Sequence, residues 1–151
     1  MSDQGRRAGE PQSTTRLKTL AQTKLISSDL QAARTIQEAL LKRIAGCGYT
    51  PGAIFAIKLA IEEGLTNAIK HGNRFDPAKV VQVQYEIDSS CAIITITDQG
   101  SGFDPGSVPD PTTDENLEKP SGQSIMLMRA YMDKVVFKQQ GNQVRLVKRN
   151  A

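Results

Sequence analysis

The spacing of apolar residues changes sharply once along the chain, and that change restricts the folds open to it. Over 51–71 the apolar residues recur every three or four positions, with Ile54, Ile57, Ile61, Leu65 and Ala68 on one helical stripe. Beyond Gly72 the pattern shortens to short β-branched runs. Val80, Val81, Val83, Tyr85 and Ile87 form one, and Ala92, Ile93, Ile94 and Ile96 the next. Asp88-Ser89-Ser90 separates the two runs, which predicts a β-hairpin.

The flanking segments complete the order. Leu17, Leu20, Leu25 and Ile26 predict a first strand within Thr15 to Ser27. Ser28 is the expected N-cap of a helix, with Gln31 closing a capping box. Leu30, Ala33, Ile36, Leu40 and Leu41 carry that helix to a stop at Gly46-Cys47-Gly48. Thr50 and Pro51 are suited to begin the second helix, which is expected to reach about His71 and to end on Gly72. A third helix is expected from Gly122 to Met132. Strands over Lys134 to Lys138 and Val144 to Lys148 then turn at Gly141-Asn142. Hairpin-linked strands with grouped helices predict an α+β fold, a two-layer sandwich with a mixed or antiparallel sheet and its helices on one face.

Composition narrows the function classes. A length of 151 residues fits one domain, and 19 Lys and Arg against 16 Asp and Glu give a charge of only +3. That excess gives no ground to expect nucleic acid as a partner. Two cysteines, Cys47 and Cys91, form no disulfide framework and indicate a reducing compartment. Neither has a basic neighbour that would activate it, so both are expected to be structural. With one histidine they do not make a zinc set. The polar start shows no signal-peptide core, and no apolar run approaches the roughly 18 residues of a membrane span. A cytoplasmic protein with no membrane contact is expected.

Residues 1–14 read as a disordered arm ahead of a domain at 15–151. Within that domain, 104–121 is rich in proline and carries five acidic residues against one basic, the make-up of a functional loop or lid. Met126, Met128 and Met132, with Leu127 and Tyr131, have the spacing of a helix packed on the core.

Three short motifs carry chemistry. Glu63, Asn67 and His71 fall at i, i+4 and i+8, so Glu63 and Asn67 lie one helical turn apart. An amide oxygen beside a carboxylate suits a cation such as Mg²⁺ that keeps some of its waters. Alone, the stripe reads better as a solvated helix face. Asp98-Gln99-Gly100-Ser101-Gly102-Phe103 ends an Ile/Thr strand. A carboxylate there, followed by glycines that permit close backbone approach, can hold a planar ligand through an N–H donor such as the adenine amino group. Alone, it is a common turn. Ser121-Gly122-Gln123-Ser124 opens the third helix, where unpaired N–H groups favour phosphate oxygens.

The set and its order resemble the ATP-binding domain shared by histidine kinases, gyrase, MutL and a class of heat-shock chaperones, the Bergerat-type fold, over about 15–149. Asn67-Ala-Ile-Lys-His71-Gly72-Asn73 and Ile125-Met-Leu-Met-Arg129-Ala-Tyr-Met132-Asp133 are most similar to the bacterial anti-sigma factor serine/threonine-protein kinases of partner-switching systems. The resemblance implies ATP and Mg²⁺ as cofactors and Glu63 as the general base. It makes Asn67 the Mg²⁺ ligand and Asp98 the adenine reader. His71, Gly100, Gly102, Phe103, Gly122 and Ser124 complete the expected nucleotide site. It also implies an anti-anti-sigma-type protein substrate, a sigma factor as alternate partner, and a homodimer.

One position departs from the family. Its phosphate-side motif is Gly-x-Gly, and Ser124 stands at the second glycine. If that position needed a positive φ, serine would cost on the order of 1 kcal/mol and weaken nucleotide binding several-fold. Alternatively, its hydroxyl could bond a phosphate oxygen. The competing function is a nucleotide-binding module that sequesters a partner without catalysis. A sensor histidine kinase is disfavoured because His71, the only histidine, lies inside the Asn67-to-Asn73 motif. An ATP-hydrolysing clamp would need a further coupling domain.

Overall fold

The structure is a computed structural model and describes residues 21–101, 122–138 and 140–150. The expected arm at 1–14, the lid at 104–121, and Gly102 and Phe103 lie outside the described residues.

The elements in chain order are β1 (Gln22–Ser27), α1 (Leu30–Gly46), α2 (Pro51–Thr66), a π-helical turn (Asn67–Gly72), β2 (Val80–Ile87), β3 (Cys91–Thr97), α3 (Gly122–Tyr131), β4 (Lys134–Phe137) and β5 (Gln143–Arg149). The strands form one sheet in the order β1-β2-β3-β5-β4, and every described pairing is antiparallel. The α+β sandwich expected from the sequence is present, with no parallel pair in the described sheet.

Strand alternation sets the inner face. Val83 pairs with Ile96 and Ile96 with Val144; Tyr85 pairs with Ile94 and Ile94 with Leu146. These two rows are buried beneath α2, whose Ile57, Ile61 and Leu65 are also buried, with Ile69 of the π turn beyond them. Each such side chain contributes about 1.5–3 kcal/mol of transfer free energy, so the α2–sheet contact dominates the core. α1 seals one flank through Ile36, Leu40 and Ile44, and α3 the other through Ile125 and Met128. Met128 and Met132 are core residues as expected. Met126 is not: it is 63% exposed, and Tyr131 is also exposed, its ring meeting Phe55 edge-on at 5.8 Å.

The caps explain where the helices begin, with one correction. Thr50 Oγ1 accepts from Ala53 N at 3.1 Å and Pro51 takes the first turn, as expected. For α1, however, the cap is Asp29 rather than Ser28, since Asp29 Oδ1 accepts from Ala32 N at 2.8 Å. Ser28 is drawn inward, and its hydroxyl donates to Lys79 O at 2.7 Å. The carboxylate one residue on is the better capping acceptor, and Ser28 is needed to close the chain against β2.

The end of α2 is the larger correction. The α-helical register stops at Thr66 and continues as the π turn, which closes with Asn73 N donating to Ala68 O at 2.8 Å. Gly72 does not supply the left-handed stop. Arg74 (φ 53°) and Phe75 (φ 58°) do, a conformation that costs a non-glycine on the order of 1–3 kcal/mol. Buried Asn73 holds that bend, donating through Nδ2 to Ser28 Oγ (2.9 Å) and Val80 O (3.0 Å) and accepting from Gln99 N (2.7 Å).

Candidate nucleotide site

The π turn, the ends of β3 and β5, and α3 enclose a cavity of about 340 Å³, at the lower end of the range for small-molecule sites. Its apolar floor is Ile96, Met128 and Val144, side chains that strand alternation and helix spacing turn inward. Gly64 lets α2 lie close over that floor, since a Cβ there would meet Ile96 Cδ1 at 2.8 Å. Asn67, His71, Asp98 and Gly100, four of the residues singled out in the sequence, line the cavity.

Asp98 is fixed from two sides. Its backbone N donates to Asn142 O at 2.9 Å, tying the end of β3 to the β4–β5 turn. Its Oδ1 accepts from Gly100 N at 2.8 Å. Two glycines make room for the carboxyl. A Cβ on Gly72 would collide with Asp98 Cγ, and one on Gly100 would collide with Gly72 O. Gly72 therefore serves close approach rather than helix termination. Burial pushes the Asp98 carboxyl up to about 6, against the opposing pull of the Gly100 N–H and of Lys79.

A second cluster adjoins the cavity through Asn67. Ser124 Oγ donates to Glu63 Oε1 at 2.7 Å and accepts from Asn67 Nδ2 at 2.9 Å. Ser124 is the third residue of α3 and only 6% exposed. It is absent from the left-handed region, so the strain that serine would suffer at a glycine-type position does not arise. Gly122 opens α3 as expected, which puts that helix's N-terminal N–H groups on the side of Glu63 and Asn67. Glu63 and Gly72, which touches Asp98, are nine positions apart along α2 and the π turn, a span on the order of 12 Å.

Three contributors were not singled out from the sequence. Lys79 lines the cavity and acts electrostatically on Asp98. Gly72 is expected from the sequence only as a helix stop and Asn73 only as part of a motif, and the weight they bear comes from contacts with residues far along the chain. The one signal in the sequence was an asparagine directly after the glycine at the helix end.

Among the described residues no group of three or more His, Cys, Asp or Glu side chains could hold a metal ion by itself. No helix among them is long and apolar enough to cross a membrane.

The family model described as "Histidine kinase-like ATPase domain" matches residues 26–148. The anti-sigma F factor of Geobacillus thermodenitrificans is 35% identical over 89 residues, covering 57% of this chain and 60% of that protein. That of Clostridium botulinum is 33% identical over 112 residues, covering 70% of this chain and 78% of that protein. A crystal structure of the RsbU and RsbW domains of a Mycobacterium tuberculosis protein shares the fold, with a TM-score of 0.55 at 17% identity over 87% of this chain and 32% of that one. The match spans only three-fifths of the first relative's length. The chain belongs to the histidine kinase-like ATPase domain family and, within it, groups with the anti-sigma F factors.

Proposed function

We propose that this protein binds ATP in the cavity described above and transfers the γ-phosphoryl group to a serine or threonine of an anti-anti-sigma-type partner. The observation that carries this reading is the arrangement along one helix: an adenine-type acceptor, Asp98, lies against its far end, and Glu63 with Asn67 lies beside the start of α3. The separation, on the order of 12 Å, suits a nucleoside triphosphate laid along α2.

In this reading the Asp98 carboxylate accepts from the adenine amino group, and the apolar floor of Ile96, Met128 and Val144 packs on the ring. The α3 N-terminus neutralises phosphate charge through its free N–H groups. Asn67 would hold Mg²⁺ through its amide oxygen. One side chain is too few ligands for Mg²⁺, so Asn67 would hold the ion only together with the nucleotide, and a bound ion would supply charge neutralisation to the transferring group. Glu63 takes the proton from the accepting hydroxyl, a role that positioning and one base can fulfil.

The relatives' name, anti-sigma F factor, supports a sigma factor as a partner. In our reading the chain is a cytoplasmic homodimer that holds the sigma factor in one state and phosphorylates the antagonist in the other. Labelled transfer to the cognate partner tests it: Glu63→Ala should reduce the rate by about 10²–10⁴-fold. An undiminished rate removes Glu63 from the mechanism.

A second reading, a nucleotide-dependent sequestering module without catalysis, is favoured by one contact, the Ser124 hydroxyl already bonded to Glu63. Titration of wild type and Ser124→Gly with a fluorescent ATP analogue, beside the labelled-transfer assay, separates the two. Nucleotide uptake by both with phosphoryl transfer to the partner only in the glycine variant supports the module, and transfer by wild type discards it.

A further inference from the structure

Ser124 has the setting of a phosphoryl acceptor. Where the family motif places a glycine with no side chain, this chain carries a hydroxyl 2.7 Å from the oxygen of the proposed base. Ser124 Oγ also accepts from Asn67 Nδ2 at 2.9 Å, so its lone pair and its proton are both directed. It lies in the first turn of α3, whose N-terminal N–H groups are the phosphate-binding end of the proposed site. A nucleophile oriented by a hydrogen bond to a carboxylate, beside the position of the transferring group, is what general-base phosphoryl transfer requires.

Resting on the nucleotide-binding reading, we infer that Ser124 is an internal phosphoacceptor and that the protein phosphorylates itself there from ATP. Ser124 Oγ forms a bond to the γ-phosphorus as the bond from that phosphorus to the β,γ-bridging oxygen breaks. The hydroxyl proton passes to Glu63 Oε1, and the bridging electron pair leaves with ADP. Ser124 is 6% exposed, so a second protein cannot reach it without local opening, and the reaction is intramolecular.

The product has a consequence for the site. A phosphoserine carries close to two negative charges and stands beside the Glu63 carboxylate, where the γ-phosphate of the next ATP would lie. The modified chain repels triphosphate, and self-modification ends after a single transfer. The chain's activity toward its partner would thereby be silenced by prolonged exposure to ATP in the absence of that partner.

The test uses the full chain with Mg²⁺ and ATP labelled on the γ-phosphate, beside calorimetric titration with a non-hydrolysable ATP analogue. The expected result is label rising to a single phosphate per chain, mapped to the peptide holding Ser124, at a rate per chain independent of protein concentration. Ser124→Ala abolishes it. Glu63→Gln, which keeps the acceptor hydroxyl, slows it about 100-fold or more. Analogue uptake without any gain in mass overturns the inference and leaves the nucleotide reading standing. Label that persists in Ser124→Ala also overturns it. Absence of analogue uptake overturns both.

Discussion

Replacing Asp98 by asparagine separates what this residue does for the fold from what it does for a ligand. Burial raises its carboxyl from an ordinary 3.8 to about 6, so the folded protein favours the protonated form. A raised acid contributes stability that is complete below the unfolded value and is lost as pH rises through the folded one. At neutral pH wild type therefore holds a disfavoured anion. About two units correspond to at most about 3 kcal/mol, and partial exposure to solvent in the cavity reduces that to about 1–2 kcal/mol. Asp98→Asn should be more stable by that amount at pH 7.5, a gain of roughly 2–8 °C in Tm for a domain of this size. The gain should shrink several-fold by pH 4. Ligand binding should move the opposite way. The adenine amino group needs the anion as acceptor, so wild-type affinity for an ATP analogue should hold above pH 7 and fall about tenfold per unit below about 6. Losing a charged acceptor should weaken the variant's binding by about 10–100-fold at pH 7.5. Thermal melts and calorimetry at both pH values read the two effects. A variant no more stable than wild type at pH 7.5, or wild-type affinity unchanged between pH 7.5 and 5, would refute the reasoning.

Three other outcomes follow from contacts already described. Gly72→Ala puts a Cβ against the Asp98 carboxyl and should lower nucleotide affinity at least tenfold, at a stability cost of about 1–3 kcal/mol, read by fluorescent-nucleotide titration and urea melts. Asn73→Ala strands the Gln99 N–H and the Val80 carbonyl and should destabilise by about 2–4 kcal/mol in denaturant titration, with a larger loss than Ser28→Ala, which removes two bonds, to that asparagine and to Lys79 O, where Asn73→Ala removes three. Phe75→Gly relieves a left-handed non-glycine on the surface and should raise stability by about 1 kcal/mol, seen as a higher denaturation midpoint.

Local rules of the chain made much of the fold legible. Thr50-Pro51 marked the start of α2 because the capping oxygen and the fixed proline φ act within one turn. The alternation over Val81 to Ile87 put the core face of β2 on view because one sheet face is buried. Asp98 and Asn67 could be read as site residues because the strand end and helix face that carry them are set by the same periodicities. What escaped reading depends on the meeting of distant segments. Ser28 lost the cap to Asp29 because β2 needed its hydroxyl. Gly72 is a glycine because of Asp98, 26 residues later, and Ser124 finds Glu63 across 61 positions. No periodicity records those contacts.

The wide turn at Asn67–Gly72 bears on how this protein can be altered. It loosens the backbone ladder where Asn67, His71 and Gly72 all meet the cavity, and its irregular end is kept in place by Asn73 and a left-handed pair. Deleting one residue there would let the segment relax into a regular helix, an attractive move for any stabilised variant. It would also swing the residues beyond it by about 100° and withdraw Gly72 from the strand end it accommodates. A tidier helix at this point would be a sturdier protein with a misassembled pocket.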